Sequence, residues 1–252
     1  MHPSLNFDRV ADRYDETRGG TTRGASFAAD LDPFLPAGPV LEVAVGTGLV
    51  ATGLRDRGRA VFGVDLSAEM LARARERLGG LVVRGNALAL PVADGAVAGV
   101  VYVAALHAIG DVNGALTEAA RVLRPDGRVV AVTGEGKLAG EGHDEIRKAM
   151  ASLRPLRQAR PDTKQALAAA AERAGLRVVE RTATTPLPWA ESPAEVADRL
   201  EQRLYSYLWD MDAQTWDAVV QPAIDALRNL PEPDRPRQRI QQFLITVLAH
   251  AD

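Results

Sequence analysis

Along this chain, short apolar runs alternate with stretches whose apolar residues recur every three or four positions. From residue 40 onward that alternation predicts strand after helix after strand. Val40 to Val45, broken only by Glu42, and Ala60 to Val64 are apolar runs, as strands covered on both faces require. After Ser67, which can cap a helix, Met70, Leu71, Ala74 and Leu78 fall at helical spacing until Gly79-Gly80 ends the pattern. Leu81 to Arg84 and Val97 to Val103 predict a third and a fourth strand. Gly114 to Leu123 predicts a helix, Pro125-Asp126-Gly127 a turn, and Val129 to Thr133 a fifth strand. Thr163 to Ala174, closed by Gly175, predicts an alanine-rich helix. Leu176 to Ala183 predicts a sixth strand and Ile240 to Ala249 the last. Helices and strands alternating through short links argue an α/β, doubly wound sheet.

Residues 186–236, between the last two strands, are far more than a connection needs and predict two helices, Pro193 to Trp209 and Ala213 to Leu230. All three tryptophans, Trp189, Trp209 and Trp216, fall here with Tyr205 and Tyr207, in a chain of twelve aromatic residues. One reading is a lid that supplies an apolar substrate pocket, with Trp189, Tyr205 and Trp209 touching substrate. The competing reading packs Val196, Leu200, Leu204 and Leu208 along one helix face and fills its margins with the aromatics. A homodimer interface is a third use of the same cluster.

Chemistry concentrates in Val40-Leu41-Glu42-Val43-Ala44-Val45-Gly46-Thr47-Gly48, a strand that turns at two glycines into a helical pattern. Glycines there let backbone N–H groups approach a ligand without Cβ interference. Asp65, at the end of the second strand, stands where a carboxylate accepts from both ribose hydroxyls, so the ligand reads as adenosine-like. Gly46-x-Gly48-x-x-Ala51 alone suits a nicotinamide dinucleotide equally well. The longer Glu42-x-Ala44-x-Gly46-x-Gly48 favours a cofactor with a cationic amino-acid end, since an acid in the first strand repels a pyrophosphate. Glu42 as a buried acid satisfied by backbone amides is compatible with either.

Five ordered segments carry a resemblance: Phe7-Asp8-x-x-Ala11-x-x-Tyr14-Asp15-x-x-Arg18; the Leu41 to Gly48 turn; Val64-Asp65-Leu66-Ser67-x-x-Met70-Leu71; Gly85-Asn86-Ala87-x-x-Leu90-Pro91; and Arg121-Val122-Leu123-Arg124-Pro125-Asp126-Gly127. Together they resemble the class I S-adenosylmethionine-dependent methyltransferases of the small-molecule type. The resemblance implies a single Rossmann-like doubly wound sheet of seven strands, the last antiparallel. It divides the chain into an N-terminal helical cap (1–39), a cofactor-binding core (40–185), the helical lid insertion (186–236) and the last strand (237–252). It implies S-adenosylmethionine held by Tyr14, Arg18, Glu42, Ala44, Gly46, Gly48, Asp65, Leu66, Met70, Asn86, Ala87, Leu88 and Ala104. Tyr14 would shield the methionyl portion and Arg18 pair with its carboxylate. Three residues depart from the family pattern. Ala44 replaces a glycine, which is tolerable at negative φ. Asn86 replaces an aspartate, its amide carbonyl accepting in the carboxylate's place. Ala98-Gly99 replaces a Phe-Asp pair and removes a carboxylate from the cofactor's surroundings.

Composition narrows the rest. The 252 residues are 46% hydrophobic and 25% charged, as in an ordinary soluble domain. A net charge of −3, with no basic block interleaved with aromatics, argues against nucleic acid and for a small-molecule acceptor. With no cysteine there are no disulfides and no thiolate metal sites. The absence of a leader pattern and of long apolar runs predicts a cytoplasmic protein without membrane contact. Asp111, Glu141, Asp144 and Glu145, with His143 among them, show no ligand spacing, and no metal is expected. His107, after the fourth strand, is the candidate general base; its alternative role is to order the loop before Asp111. The expected activity is methyl transfer to a small metabolite, O-methylation by default. Non-methylating chemistry such as cyclisation, a cofactor-binding dimeric scaffold and a nicotinamide oxidoreductase are the alternatives.

Overall fold

The structure, a computed structural model, describes residues 7–17, 19–134, 138–139, 143–158 and 161–251. Among them the strands, in chain order, are β1 (Val40–Val43), β2 (Val61–Asp65), β3 (Val82–Arg84), β4 (Val97–Val103), β5 (Leu123–Thr133), β6 (Leu138–Ala139), β7 (Leu176–Ala183), β8 (Leu187–Glu191), β9 (Arg237–Gln241) and β10 (Leu244–His250). Contacts divide the chain into two compact units. The first comprises residues 1–136, 161–185 and 243–252; the second comprises 137–160 and 186–242.

The first unit is built on a seven-stranded sheet of order β3-β2-β1-β4-β5-β10-β7. β1 to β5 pair in parallel, and β10 runs antiparallel to both β5 and β7. β1 is buried at every position and β4 at all but its last, the signature of a parallel sheet covered by helices on both faces. Ser67 caps the helix Ala68–Leu78 by accepting from Met70 N, and Asp111 and Thr163 cap Val112–Val122 and Lys164–Arg173 in the same way. Leu116, Ala119, Leu167 and Ala171 from those last two helices close over the sheet in one core with Leu41, Val100 and Val129. Burial of this apolar area, at about 25 cal/mol per Å², is the main stabilising term.

The second unit carries its own sheet, ordered β6-β9-β8. Its core joins Ile146 and Leu153 to Val196, Leu200, Leu208, Val220, Ile224 and Leu227. The helix Pro193–Glu201 begins with a reciprocal capping box between Ser192 and Glu195. Arg237, 3% exposed, is held by the carbonyls of Pro231, Glu232 and Arg235 and by Glu145.

Three boundaries differ from the pattern-based expectation. The run Ile240 to Ala249 is not one strand: it breaks at Gln242-Phe243, where the buried Phe243 donates its N–H to Thr184 Oγ1 and sets its ring against Phe27 at 5.2 Å. The long helix expected to reach Trp209 stops at Glu201. Arg203 there takes φ +51° and turns its guanidinium onto the carbonyls of Leu208 and Met211. β5 begins at Leu123, and the expected turn at Pro125-Asp126-Gly127 is an excursion within it, between the pairings Val97 with Leu123 and Gly99 with Arg128.

Candidate functional site

In the first unit the chain leaves β1 toward β2 and β3, then returns to lay β4 on β1's other side. The crevice at the carboxyl ends of β1 and β4 is where such sheets bind ligands. A cavity of about 690 Å³, part of it open to solvent, lies there. Its walls are largely apolar: Val43 and Ala44 end β1, Val64 is in β2, and Val103, Ala104 and Ala105 carry β4 into the next turn.

Both strands leave the sheet through a left-handed alanine. Ala44 has φ +56° and Ala104 +49°, and each lines the cavity. The condition under which an alanine is tolerable there, a negative φ, is not met. The next residue, Val45, must still donate to Val64 O at 3.0 Å, and this bend brings it there. An L-residue in that region costs roughly 1–2 kcal/mol, strain that persists where the surroundings fix the backbone. Gly46 follows at φ +56°, and a Cβ placed on it would meet nothing within 4 Å. Its N–H donates to Asp65 Oδ2 at 2.8 Å, while Ser67 N–H donates to Oδ1 at 2.9 Å. Burial raises the Asp65 pKa above its usual value, and the Ser67, Gly46 and Leu66 amides work against that rise.

The N-terminal segment reaches this crevice. Phe7 and Tyr14 line the cavity and meet edge to face at 6.3 Å. Asp8 accepts from Ser67 Oγ at 2.5 Å and from Glu69 N. Asp15 accepts from Thr47 Oγ1 in the glycine turn and from Arg77, both at 2.6 Å, and Arg77 also donates to Thr47 O. Phe7, Asp8 and Asp15 were legible as parts of the resemblance. Thr47 and Arg77 were not singled out, and an arginine four residues after Arg73 on a charged helix face carries no signal of its partner.

Of the expected cofactor residues, Tyr14, Ala44, Gly46, Asp65, Leu66, Met70, Asn86, Ala87 and Ala104 line the cavity. Three do not. Gly48 caps the helix Leu49–Asp56 at φ +83°, a left-handed backbone that favours glycine, and lies beside the end of the Leu78 side chain. Leu88 packs on the core and donates its N–H to Asn86 Oδ1, occupying one acceptor position of that carbonyl. Glu42 is 3% exposed with Oε2 unpartnered among the described residues. Burial pushes its pKa up to about 8, with the Asp65 charge adding to the rise and the Ala51 amide opposing it. It is a neutral acid outside the cavity lining, so the charge argument against a pyrophosphate does not hold. Arg18 and Glu141, and the side chains of His143 and Asp144, lie outside the described residues.

Ala98-Gly99 sits at the start of β4, opposite the end that meets the cavity, and a Cβ on Gly99 would strike Leu35 at 2.7 Å. The substitution concerns packing there, and no carboxylate is missing from the crevice on its account. His107 lies in the turn Leu106–Ile109, whose Ala105, Ala108 and Ile109 face the cavity at helical spacing; the imidazole is on another side of that turn. Its Nδ1 is 3.7 Å from Asp162 Oδ2. Trp189, Tyr205 and Trp209 all belong to the second unit. There Arg199 lies over the Trp189 ring, Tyr205 stacks on Tyr207 at 5.5 Å, and Trp209 Nε1 donates to Arg203 O. Among the described residues no cluster of acids and histidines has metal-binding geometry, and no helix is long and apolar enough to cross a membrane.

Residues 41–131 match a family model described as a methyltransferase domain. Over 142 residues the chain is 39% identical to the demethylmenaquinone methyltransferase of Thermus thermophilus, an alignment covering 50% of this chain and 63% of that one. A ubiquinone/menaquinone biosynthesis C-methyltransferase of Desulfotalea psychrophila is 35% identical over 136 residues, covering 50% of this chain and 55% of the relative. In both cases the match spans less than two thirds of the relative. Among solved structures, a methyltransferase of Haloferax volcanii in complex with the Trm112 activator superposes with a TM-score of 0.59 at 19% identity, covering 100% of both chains.

Proposed function

We propose that this chain is a class I S-adenosylmethionine-dependent methyltransferase, with S-adenosylmethionine as its cofactor, that methylates a small, partly apolar organic acceptor; the methyltransferase-domain match and the similar methyltransferases support the reading. The observation that carries the reading is the crevice itself. An apolar cavity of about 690 Å³ is lined by an acceptor-only carboxylate, Asp65, and, beside it, by Gly46, where an added Cβ would meet nothing within 4 Å. A nucleoside fits this donor and acceptor set. Asp65 keeps lone pairs beyond those used by Gly46 N and Ser67 N, and these accept from ribose hydroxyls. Leu66, Met70 and Ala87 offer apolar surface to the adenine, and Asn86 keeps a further acceptor position for its amino group. Ala44, Gly46, Ala104 and the Tyr14 ring border the methionyl end.

The bound cofactor supplies an electrophilic methyl group whose leaving group departs neutral, so the protein's task is alignment and exclusion of water. The apolar walls and the Phe7–Tyr14 pair lower the local dielectric. The strained alanines hold the strand ends fixed against the ligand. The acceptor atom is either a hydroxyl oxygen or the acidic carbon beside one. The similar protein named a ubiquinone/menaquinone biosynthesis C-methyltransferase makes carbon the first atom to test and oxygen the second.

The test is calorimetric titration with S-adenosylmethionine, S-adenosylhomocysteine and NAD, repeated on Asp65→Ala. It is followed by radiolabelled methyl transfer to demethylmenaquinone in its oxidised and reduced forms and to simple phenols. The first two ligands are expected to bind at micromolar concentration and to lose at least about tenfold in the variant, as for charged hydrogen bonds of roughly 1.5 kcal/mol. Binding of NAD alone would sink the reading. Tight cofactor binding with no transfer to any acceptor would favour the scaffold or cyclase alternative.

A further inference from the structure

We propose that Arg77 is a positioning residue for the methionyl end of the cofactor: from outside the cavity it sets the gap between the Tyr14 ring and Gly46, two walls of the crevice. The inference rests on the proposed binding of S-adenosylmethionine there. Tyr14 and Gly46 line the cavity and Arg77 does not. Arg77 stands in the last turn of the helix Ala68–Leu78, where the helix dipole favours a cation. Its backbone is held in turn by Arg55 of the helix Leu49–Asp56, whose Nη1 donates to Arg77 O at 2.7 Å.

From that base the guanidinium closes a ring of hydrogen bonds. Nη1 donates to Thr47 O at 2.7 Å, Nη2 donates to Asp15 Oδ2 at 2.6 Å, and Thr47 Oγ1 donates to Asp15 Oδ1 at 2.6 Å. Each of the two partners adjoins a wall residue in sequence, Asp15 following Tyr14 and Thr47 following Gly46. Thr47 is 2% exposed and lies between Gly46 at φ +56° and Gly48 at +83°, a stretch whose backbone freedom its neighbours must remove. A partly exposed ion pair contributes little by itself. Here the contacts are short, charge-assisted and shared with a buried residue, so their value is geometric. They order the N-terminal segment and the glycine turn against each other before the ligand arrives, and the ligand is spared that cost. The planar guanidinium spans two acceptors with two nitrogens, which the single nitrogen of a lysine does not reproduce. Leu66, Met70 and Asn86, which border the nucleoside end of the cavity, take no part in the ring.

The test compares two ligands by calorimetry: S-adenosylhomocysteine, and 5′-methylthioadenosine, which keeps the nucleoside and sulfur but lacks the amino-acid end. Arg77→Met is expected to lose about tenfold in affinity for the first and less than about twofold for the second. Arg77→Lys is expected to stay within about threefold of Arg77→Met, because charge without the fork does not restore the ring. Combining Arg77→Met with Asp15→Asn is expected to lose no more than either change alone, since one ring is broken once. Equal losses for both ligands would mark a merely structural residue and overturn the proposal, as would full recovery in the lysine variant or additive losses in the double variant. Hydrogen exchange of the ligand-free protein supplies a reading that needs no cofactor. Peptides covering residues 7–17 are expected to exchange faster in Arg77→Met while those of β4 and β5 keep their rates, and unchanged exchange at residues 7–17 would overturn the proposal. If the unaltered protein bound no S-adenosylhomocysteine, the cofactor reading would fall and this inference with it. Binding that Arg77→Met retains in full would remove the role of Arg77 alone.

Discussion

A single buried acid illustrates how position, and not identity, sets a residue's chemistry. Glu42 sits mid-strand with Gly63 and Val101 as register neighbours, and burial carries its pKa from 4.5 to about 8. Below the unfolded value of 4.5 the carboxyl is protonated in both states and costs nothing. Between 4.5 and about 8 the unfolded chain releases the proton while the folded chain keeps it, so stability falls as pH rises through that window. Glu42→Gln is expected to flatten this dependence and to unfold at higher urea than the unaltered protein at pH 8, with little difference at pH 5. Urea titrations at the two pH values check this. Ala44 offers a second residue-scale test. Its φ of +56° is a conformation glycine adopts without steric cost, which more than offsets glycine's greater freedom in the unfolded chain. Ala44→Gly is expected to raise stability by about 0.5 kcal/mol in thermal denaturation. Gly46→Ala is expected to lose stability, and its new methyl would project into the cradle and weaken cofactor binding.

At the scale of elements, the N-terminal segment is fastened rather than merely adjacent. Asp15 bridges Thr47 in the glycine turn and Arg77 on the helix after β2, so one carboxylate ties three elements around the crevice. Asp15→Asn removes the charge from both links and is expected to weaken S-adenosylmethionine roughly tenfold by calorimetry, with the melting temperature of the ligand-free protein changed far less. What the sequence revealed follows the same division. The strands and caps around Gly46, Asp65 and Ser67 were legible because local rules decide them: an apolar run, a glycine, a serine before a helical period. The partners of Asp15 and His107 were not, because nothing in spacing links residue 15 to 77 or 107 to 162. β8 was not expected; it holds Pro188, which an edge strand pairing with β9 tolerates. The positive φ at Ala44 was not legible either, since the ladder beyond the strand, not the residue, sets that angle.

For the whole molecule, each of the two compact units buries, among the described residues, a hydrophobic cluster that shares no member with the other's, which implies two cooperative units. All three tryptophans lie in the second. Tryptophan fluorescence is therefore expected to follow that unit alone, while far-ultraviolet dichroism follows both. Saturating cofactor, bound in the crevice of the first unit, is expected to move the dichroism transition. At a hundred times its dissociation constant the ligand adds about 2.7 kcal/mol to the unit that holds it. Coincident transitions by both probes, shifted equally, would show that the units unfold as one.

The place of β10 has a consequence for how the chain is made. Lying between β5 and β7 and pairing with both, it is the last strand of its sheet in chain order. A polypeptide emerging from the ribosome can assemble β1 to β5 as each successive strand appears. β7, although synthesised some sixty residues before β10 begins, has no strand neighbour among the described residues until Leu244 to His250 arrives to bridge the gap. During that interval β7 and the open edge of β5 are exposed to chaperones and to other nascent chains, and translation speed across those sixty residues becomes a determinant of yield.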